Sequence, residues 1–206
     1  MHQLSVRRWI PVLVIALLAL PMAAAAQGSA TVRVEPTVLT LRPGEEGTVR
    51  IRIEGVEDLA GAEIHLTYDA DVLEVVDADA QMEGLQIAHG DLLAADFIAQ
   101  NAADPQTGRI DYAVARMPPH TPATGDGVLA VITVRAKGEG EGTLVLRDVL
   151  LANSEGYPIP AEVASDVVAV TVRTAPSLPC WPGGAVLLGT LGLYLHARRR
   201  TRSLPG

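Results

Sequence analysis

Aromatic residues make up just 3% of this 206-residue chain, with one phenylalanine and two tryptophans. Both tryptophans, Trp9 and Trp181, fall in the apolar ends, which leaves the middle with Phe97, Tyr68, Tyr112 and Tyr157. Alternation turns Tyr68 and Tyr112 inward, so an exposed platform for stacking sugar rings has little to be built from. Cysteine is rarer still. Cys180 stands alone, which excludes an intrachain disulfide and any thiolate zinc cluster. Serine is sparse between the ends (Ser29, Ser154, Ser165), and no Gly-x-Ser-x-Gly elbow occurs. His65, His89 and His120 are far apart and lack a nucleophile to activate. Paired carboxylates such as Asp69/Asp71 and Asp77/Asp79 are common here, and in so acidic a chain they carry no specificity for glycoside hydrolysis. No catalytic residue is expected, and the chain does not read as an enzyme.

Positive charge is also short. Between Gln27 and Ala175 stand ten basic residues against all 24 acidic ones, a net charge of −14. A field of that sign repels phosphate backbones and anionic lipid, and excludes nucleic-acid binding.

Both ends are apolar. Residues 1–26 carry Arg7 and Arg8, the apolar run Trp9 to Leu20, the break at Pro21 and the small residues Ala24 to Ala26. That order predicts a secretory signal peptide cleaved before Gln27. Residues 174–182 read as a short Pro-rich linker. The run Trp181 to Ala197 is apolar except for Thr190 and His196, and Arg198, Arg199 and Arg200 follow it. At about 1.5 Å per residue it covers roughly 25 Å, slightly less than the ~30 Å hydrocarbon core. Residues 183–200 are therefore expected to form a transmembrane helix with a basic cytoplasmic stop, or a sorting tail that an enzyme removes. Either tail places the rest of the chain outside the cell.

The stretch 27–173 is long enough for one domain, and its dominant signal has period two. Val49, Ile51 and Ile53 alternate with Arg50 and Arg52. Ala62, Ile64, Leu66 and Tyr68 alternate with Glu63, His65 and Thr67. Ile110, Tyr112 and Val114 alternate with Asp111, Ala113 and Ala115, and the even positions of 128–136 and 168–172 repeat the pattern. Shorter strands are predicted at 31–34, 37–41, 72–76, 85–88 and 143–149, while 91–103 is the one stretch read as a helical turn. Breakers include Arg42-Pro43-Gly44, Gly55, Pro105 to Gly108, Gly125-Asp126-Gly127 and Asn153 to Pro160. The expected fold is all-β: a single antiparallel sandwich of jelly-roll type with about nine strands.

Several ordered stretches carry a more specific signal. Gly61 to Val76 contains the turn Tyr68-Asp69 and then Val72-Leu73-Glu74. After it come Gly90-Asp91-Leu92-Leu93, Gly108-Arg109-Ile110-Asp111-Tyr112-Ala113 and Gly125-Asp126-Gly127-Val128-Leu129, leading to Gly140-Glu141-Gly142-Thr143-Leu144 and Gly156. In order and spacing the set resembles the cohesin domain, the receptor module of cellulosome scaffoldins, over roughly 31–172. The resemblance implies a module that binds a dockerin, a Ca²⁺-loaded helical partner, on one flat sheet face. It implies that this face uses Glu63, His65 and Thr67 from one strand and Asp111, Ala113 and Ala115 from another, with Arg116 near the strand end. Cohesins often carry Asn or Asp at some contact positions where this chain has Gly61 and Glu63. Polysaccharide binding is the alternative reading, since cohesins share their fold type with carbohydrate-binding modules. No cofactor is expected. Asp69, Asp71, Asp77 and Asp79 could offer oxygen ligands to Ca²⁺, but they lack EF-hand spacing and suit turns equally well.

N-terminal sequencing of the exported protein should begin at or near Gln27, and intact Met1 on the mature chain would defeat the export reading. Deletion of residues 183–200 should turn a protein that needs detergent for release into a soluble one. Full-length protein in the soluble exported fraction would contradict both forms of the tail.

Overall fold

The computed structural model describes residues 29–174 apart from Ala95. The leader and the apolar tail expected from the sequence lie outside the described residues, as does the linker beyond Thr174. Within them the chain forms twelve strands and no helix: β1 (Ala30–Glu35), β2 (Val38–Leu41), β3 (Glu46–Tyr68), β4 (Leu73–Val75), β5 (Ala88–His89), β6 (Phe97–Asp104), β7 (Arg109–Ala115), β8 (Ala123–Ala136), β9 (Gly140–Asn153), β10 (Pro158–Ile159), β11 (Ala161–Ser165) and β12 (Val167–Val172).

Two layers follow from the pairings. In the first, β4 and β5 pair with β8, which pairs with the first half of β3, and then come β1 and β11. In the second, β6 pairs with β7, then the second half of β3, then β9, β12 and β2, with β10 on β9. The alternating residues meet between the layers. Val32, Val34, Val49, Ile51 and Ile53 face Ile64, Leu66, Ile110, Tyr112, Leu144, Val168 and Val170 in one buried cluster. Fully burying a side chain of this size contributes ~1.5–3 kcal/mol, so two facing stripes suffice to hold the layers together without a disulfide.

The strand that serves both layers is β3, 23 residues long. The sequence breaks it at Gly55 into two strands, but the chain continues through the break by bending. Gly55 (φ 66°) and Asp58 (φ 58°) both take left-handed backbone, and the register against β8 shifts on either side of Val56. Asp is among the few residues with a side chain that tolerate this conformation. The bend is held from outside the strand. Gly55 N–H donates to Asp126 Oδ1 (2.7 Å) and Asp58 N–H to Thr124 Oγ1 (3.1 Å), while Asp58 Oδ2 accepts from the hydroxyl of Ser154 (2.8 Å).

Other expectations need correction. The stretch read as a helical turn contains β6, whose backbone pairs with β7. It lacks alternation because it is an edge strand with most positions exposed. Edge strand β11 is exposed along its length for the same reason and gave no periodic signal. Gly125-Asp126-Gly127 is inside β8, not between strands. The even phase of β8 holds from Ala130 onward but fails at Val128. Ile51 pairs with Ala130 and Arg52 with Val128, so Leu129 is an extra residue in a bulge, and it turns into the core. Nor is the sandwich wholly antiparallel, since β1–β11 and β2–β12 run parallel.

Tyr68 and Asp69 do what the motif suggests locally. Tyr68 is buried with its hydroxyl 3.4 Å from the Asp104 carbonyl, and Asp69 Oδ1 accepts the Asp71 N–H. Opposite them Gly108 (φ 64°) passes so close that a Cβ would stand 2.3 Å from the Tyr68 carbonyl oxygen. Gly108→Ala combines a left-handed backbone with a backbone clash and should cost roughly 2–4 kcal/mol. Gly138→Ala, at a site with open space and an ordinary φ, should be near neutral. Urea denaturation of the two variants checks the difference, and equal midpoints would refute the close approach.

Candidate partner-binding face

The outer face of the second layer gathers the residues that the resemblance implies on two strands. On β3 and β7, Thr67 lies opposite Arg109, His65 opposite Asp111, Glu63 opposite Ala113 and Gly61 opposite Ala115. Directly opposed residues share a face, so Glu63, His65, Thr67, Asp111, Ala113 and Ala115 form one surface. Arg116 does not join them by parity. It follows the end of β7, donates its backbone N–H to the Ala60 carbonyl (2.7 Å), and keeps its Nε buried without a partner.

Two further strands widen this surface, and sequence reasoning assigned neither of them to it. From β6, Phe97 lies opposite Ala115 and Gln100 opposite Ala113. From β9, Leu150 lies opposite Glu63 and Ala152 opposite Gly61. Phe97, on edge strand β6, and Leu150, on β9, are 54% and 59% exposed, a notable degree for large apolar side chains. A signal for Leu150 was present. In Val149-Leu150-Leu151 three apolar residues follow one another, and strict alternation obliges one to face out. The register shift between His65 and Leu66 against β9 sets which one: Leu151 is core and Leu150 is surface.

The face divides along its length. At the Gly61 end, small residues (Gly61, Ala113, Ala115, Ala152) floor a shallow apolar trough of about 380 Å³, flanked by Phe97 and Leu150. At the Thr67 end the surface is charged. His65 stands between two carboxylates, with Nδ1 2.5 Å from Asp111 Oδ1 and Nε2 2.9 Å from Glu63 Oε1. Arg109 Nε donates to the same Asp111 oxygen (2.8 Å), and Arg147 Nε donates to Thr67 Oγ1 (2.9 Å). Only an imidazolium donates from both ring nitrogens at once. The hydrogen bond to Asp111 raises the His65 pKa above 6.5 with help from Glu63, against an opposing effect of burial. Burial pushes the Asp111 carboxyl up, but its hydrogen bonds from His65 and Arg109 outweigh that and hold it below 3.8.

The remaining titratable residues singled out from the sequence are dispersed. His89 Nδ1 pairs with the hydroxyl of Tyr112 (2.7 Å), and His120 Nδ1 with Asp96 (2.8 Å). Asp69 and Asp77 each accept the N–H two residues on, closing Asx turns. Among the described residues no three His, Cys, Asp or Glu side chains are gathered as a metal-ligand set.

Several cohesins of solved structure share this fold. The chain superposes on a type II cohesin domain from the cellulosome of Acetivibrio cellulolyticus with a TM-score of 0.59 at 18% identity, covering 69% of this chain and 95% of that one. A non-cellulosomal cohesin from the archaeon Archaeoglobus fulgidus gives 0.54 at 18% identity, with 71% and 93% covered. The cohesin of a type I cohesin–dockerin complex from Clostridium thermocellum gives 0.56 at 13% identity, with 71% and 100% covered. Comparison with curated proteins finds no match. The sequence itself carries the assignment: residues 32–170 match the family model described as the cohesin domain, and the chain belongs to the cohesin domain family.

Proposed function

We propose that this chain is a non-catalytic receptor module, exported and held at the cell surface by its C-terminal segment, whose second-layer outer face docks a dockerin. The observation that carries the proposal is the trough floored by Gly61, Ala113, Ala115 and Ala152 between exposed Phe97 and Leu150. A solvated sheet face normally carries long polar side chains. Here small residues leave the backbone close to the surface, and two large apolar side chains stand beside them. A helix can lie on such a surface and cover Phe97 and Leu150, each worth ~1.5–3 kcal/mol if fully buried. Family membership supports the partner class, since related cohesins have been solved in complex with dockerins. The charged end then sets register and excludes wrong partners, the usual role of polar groups at an interface rim.

The cluster around His65 also gives the face a pH window. The raised His65 pKa means that its contribution is complete below the unfolded value of 6.5 and is lost as pH rises through the folded value. The lowered Asp111 pKa works the other way: its contribution is present above the unfolded value of 3.8 and is lost as pH falls through the folded value. Between those limits both partners are charged and the end of the face is ordered. Above them a neutral imidazole donates to one carboxylate only, and Glu63 and Asp111 repel.

Ala113→Arg places a long charged side chain at the centre of the trough. It should change folding stability by less than ~0.5 kcal/mol and weaken dockerin binding by at least ~2 kcal/mol, about thirtyfold. Arg50→Ala, on the exposed outer face of the first layer, should change neither. Thermal melts with calorimetry against dockerin-bearing proteins of the same organism decide this, and wild-type affinity in Ala113→Arg would move the docking face elsewhere. In an NMR titration the His65 imidazole should show a midpoint above 6.5 that falls toward 6.5 in Asp111→Asn. An unchanged midpoint in that variant would refute the bridged imidazolium.

A further inference from the structure

At its charged end, the second-layer face holds a cleft of about 330 Å³ lined by His65, Leu66, Thr67, Arg109, Arg147 and Asp148. Thr67 lies in the middle, because β7 with Arg109 and β9 with Arg147 pair with β3 on its two sides. Arg147 owes its place to a bulge in β9. Asp148 is opposite His65 and Leu146 opposite Leu66, so Arg147 is the extra residue and has no counterpart on β3. A bulge of this kind re-aims a side chain. Here the Arg147 Nε donates to Thr67 Oγ1 (2.9 Å), which lays the guanidinium across the neighbouring strand.

Both arginines are held by the same atom. Arg109 Nε donates to Asp111 Oδ1 (2.8 Å) as Arg147 Nε does to the threonine, and among the described residues no hydrogen bond engages the terminal amino groups of either. Nor does Arg147 join an ion pair among the described residues, in a stretch whose net charge is −14. His65 offers nothing more, since both ring nitrogens are committed to Asp111 and Glu63. The cleft is thus rich in free donors and has one carboxylate, Asp148, on its lining. Such a site takes an anionic acceptor, and a guanidinium fork matches a carboxylate with two parallel hydrogen bonds. A polyanion does not suit it, because Glu63, Asp111 and Asp148 crowd the same end and repel extended negative charge.

We propose, resting on the dockerin reading above, that Arg109 and Arg147 clamp one Asp or Glu side chain of the docked helix and so select the partner. The clamp is continuous with the trough. Ala113 and Arg109 are four positions apart on β7, about 13 Å at ~3.3 Å per residue. A helix lying along the strands covers that distance in about eight residues at ~1.5 Å each, slightly more than two turns. An acid about eight positions from the side chain that enters the trough therefore points to the clamp from the same helix face. Because both guanidiniums are tethered through Nε before the partner arrives, little side-chain freedom is lost when the pair forms.

The test is calorimetry of the full-length chain with dockerin-bearing proteins of the same organism. Arg147→Gln should weaken binding about tenfold and leave the melting temperature unchanged. Arg147→Lys should recover only part of the loss, since an ammonium keeps the charge without the fork. Arg50→Gln removes the same charge from the outer face of the first layer and should bind as the wild type does. Each Asp and Glu on the partner's helices is then changed in turn to its amide. One of these changes should weaken binding by itself and add nothing to Arg147→Gln. Additive losses for every acid, or equal effects of Arg147→Gln and Arg50→Gln, overturn the clamp. Ala113→Arg distinguishes the two readings. Where it weakens binding and Arg147→Gln does not, the face docks its partner without the clamp. Where it binds as the wild type does, or no dockerin-bearing protein binds at all, the docking reading fails and the clamp with it.

Discussion

Everything on the second layer is placed by the bend in β3. A strand that belongs to both layers must change direction without losing its backbone hydrogen bonds, and the chain accomplishes this within Gly55 to Asp58 through two left-handed residues. Asp58, unlike Gly55, carries a Cβ in that conformation and depends on support from its neighbours. Asp126 and Thr124 from β8 and Ser154 after β9 supply the groups that fix it. The outer-face residues start three positions later at Gly61. The tilt of this candidate face relative to the core therefore depends on a short corner whose supports are far away in sequence.

The same corner shows what sequence can and cannot reveal. Alternation of Val49, Ile51, Ile53 and of Ile64, Leu66, Tyr68 identified both halves of β3 and the correct inward phase, because burial imposes it directly. Gly55 between them looked like a terminator, since a positive-φ glycine serves a bulge and a loop equally well. The same ambiguity hid Gly125, with φ 110°, inside β8. Edge strands β6 and β11 were missed for a different reason: they bury little, so nothing constrains their side chains to alternate. The all-β sandwich reading survived these errors because the central strands determine the layers.

The candidate face was legible in part. Alternation gave the outward side chains of each strand, the cohesin resemblance implied that the two strands share one face, and the register sets His65 opposite Asp111 and Glu63 opposite Ala113. The contributions of Phe97 and Leu150 depended on neighbours across the sheet that sequence order does not reveal. Leu150 required knowledge of a bulge opposite His65, and Phe97 required β6 to be a strand at all. The cleft between Arg109 and Arg147 was invisible for a similar reason. It arises from the same bulge, which sends Arg147 across to Thr67, and no periodicity records such a contact.

Strand β2 is the outermost element beside β12, and its four residues leave Val38 63% exposed. An open apolar edge of this kind invites a second chain to add its own strand. Pro36 precedes the strand and Pro43 follows it, so residues that lack an N–H flank it on both sides. Four residues offer too few hydrogen bonds to hold an incoming strand, and the prolines prevent the edge from lengthening. Wherever two copies meet, that brevity keeps them from joining sheet to sheet.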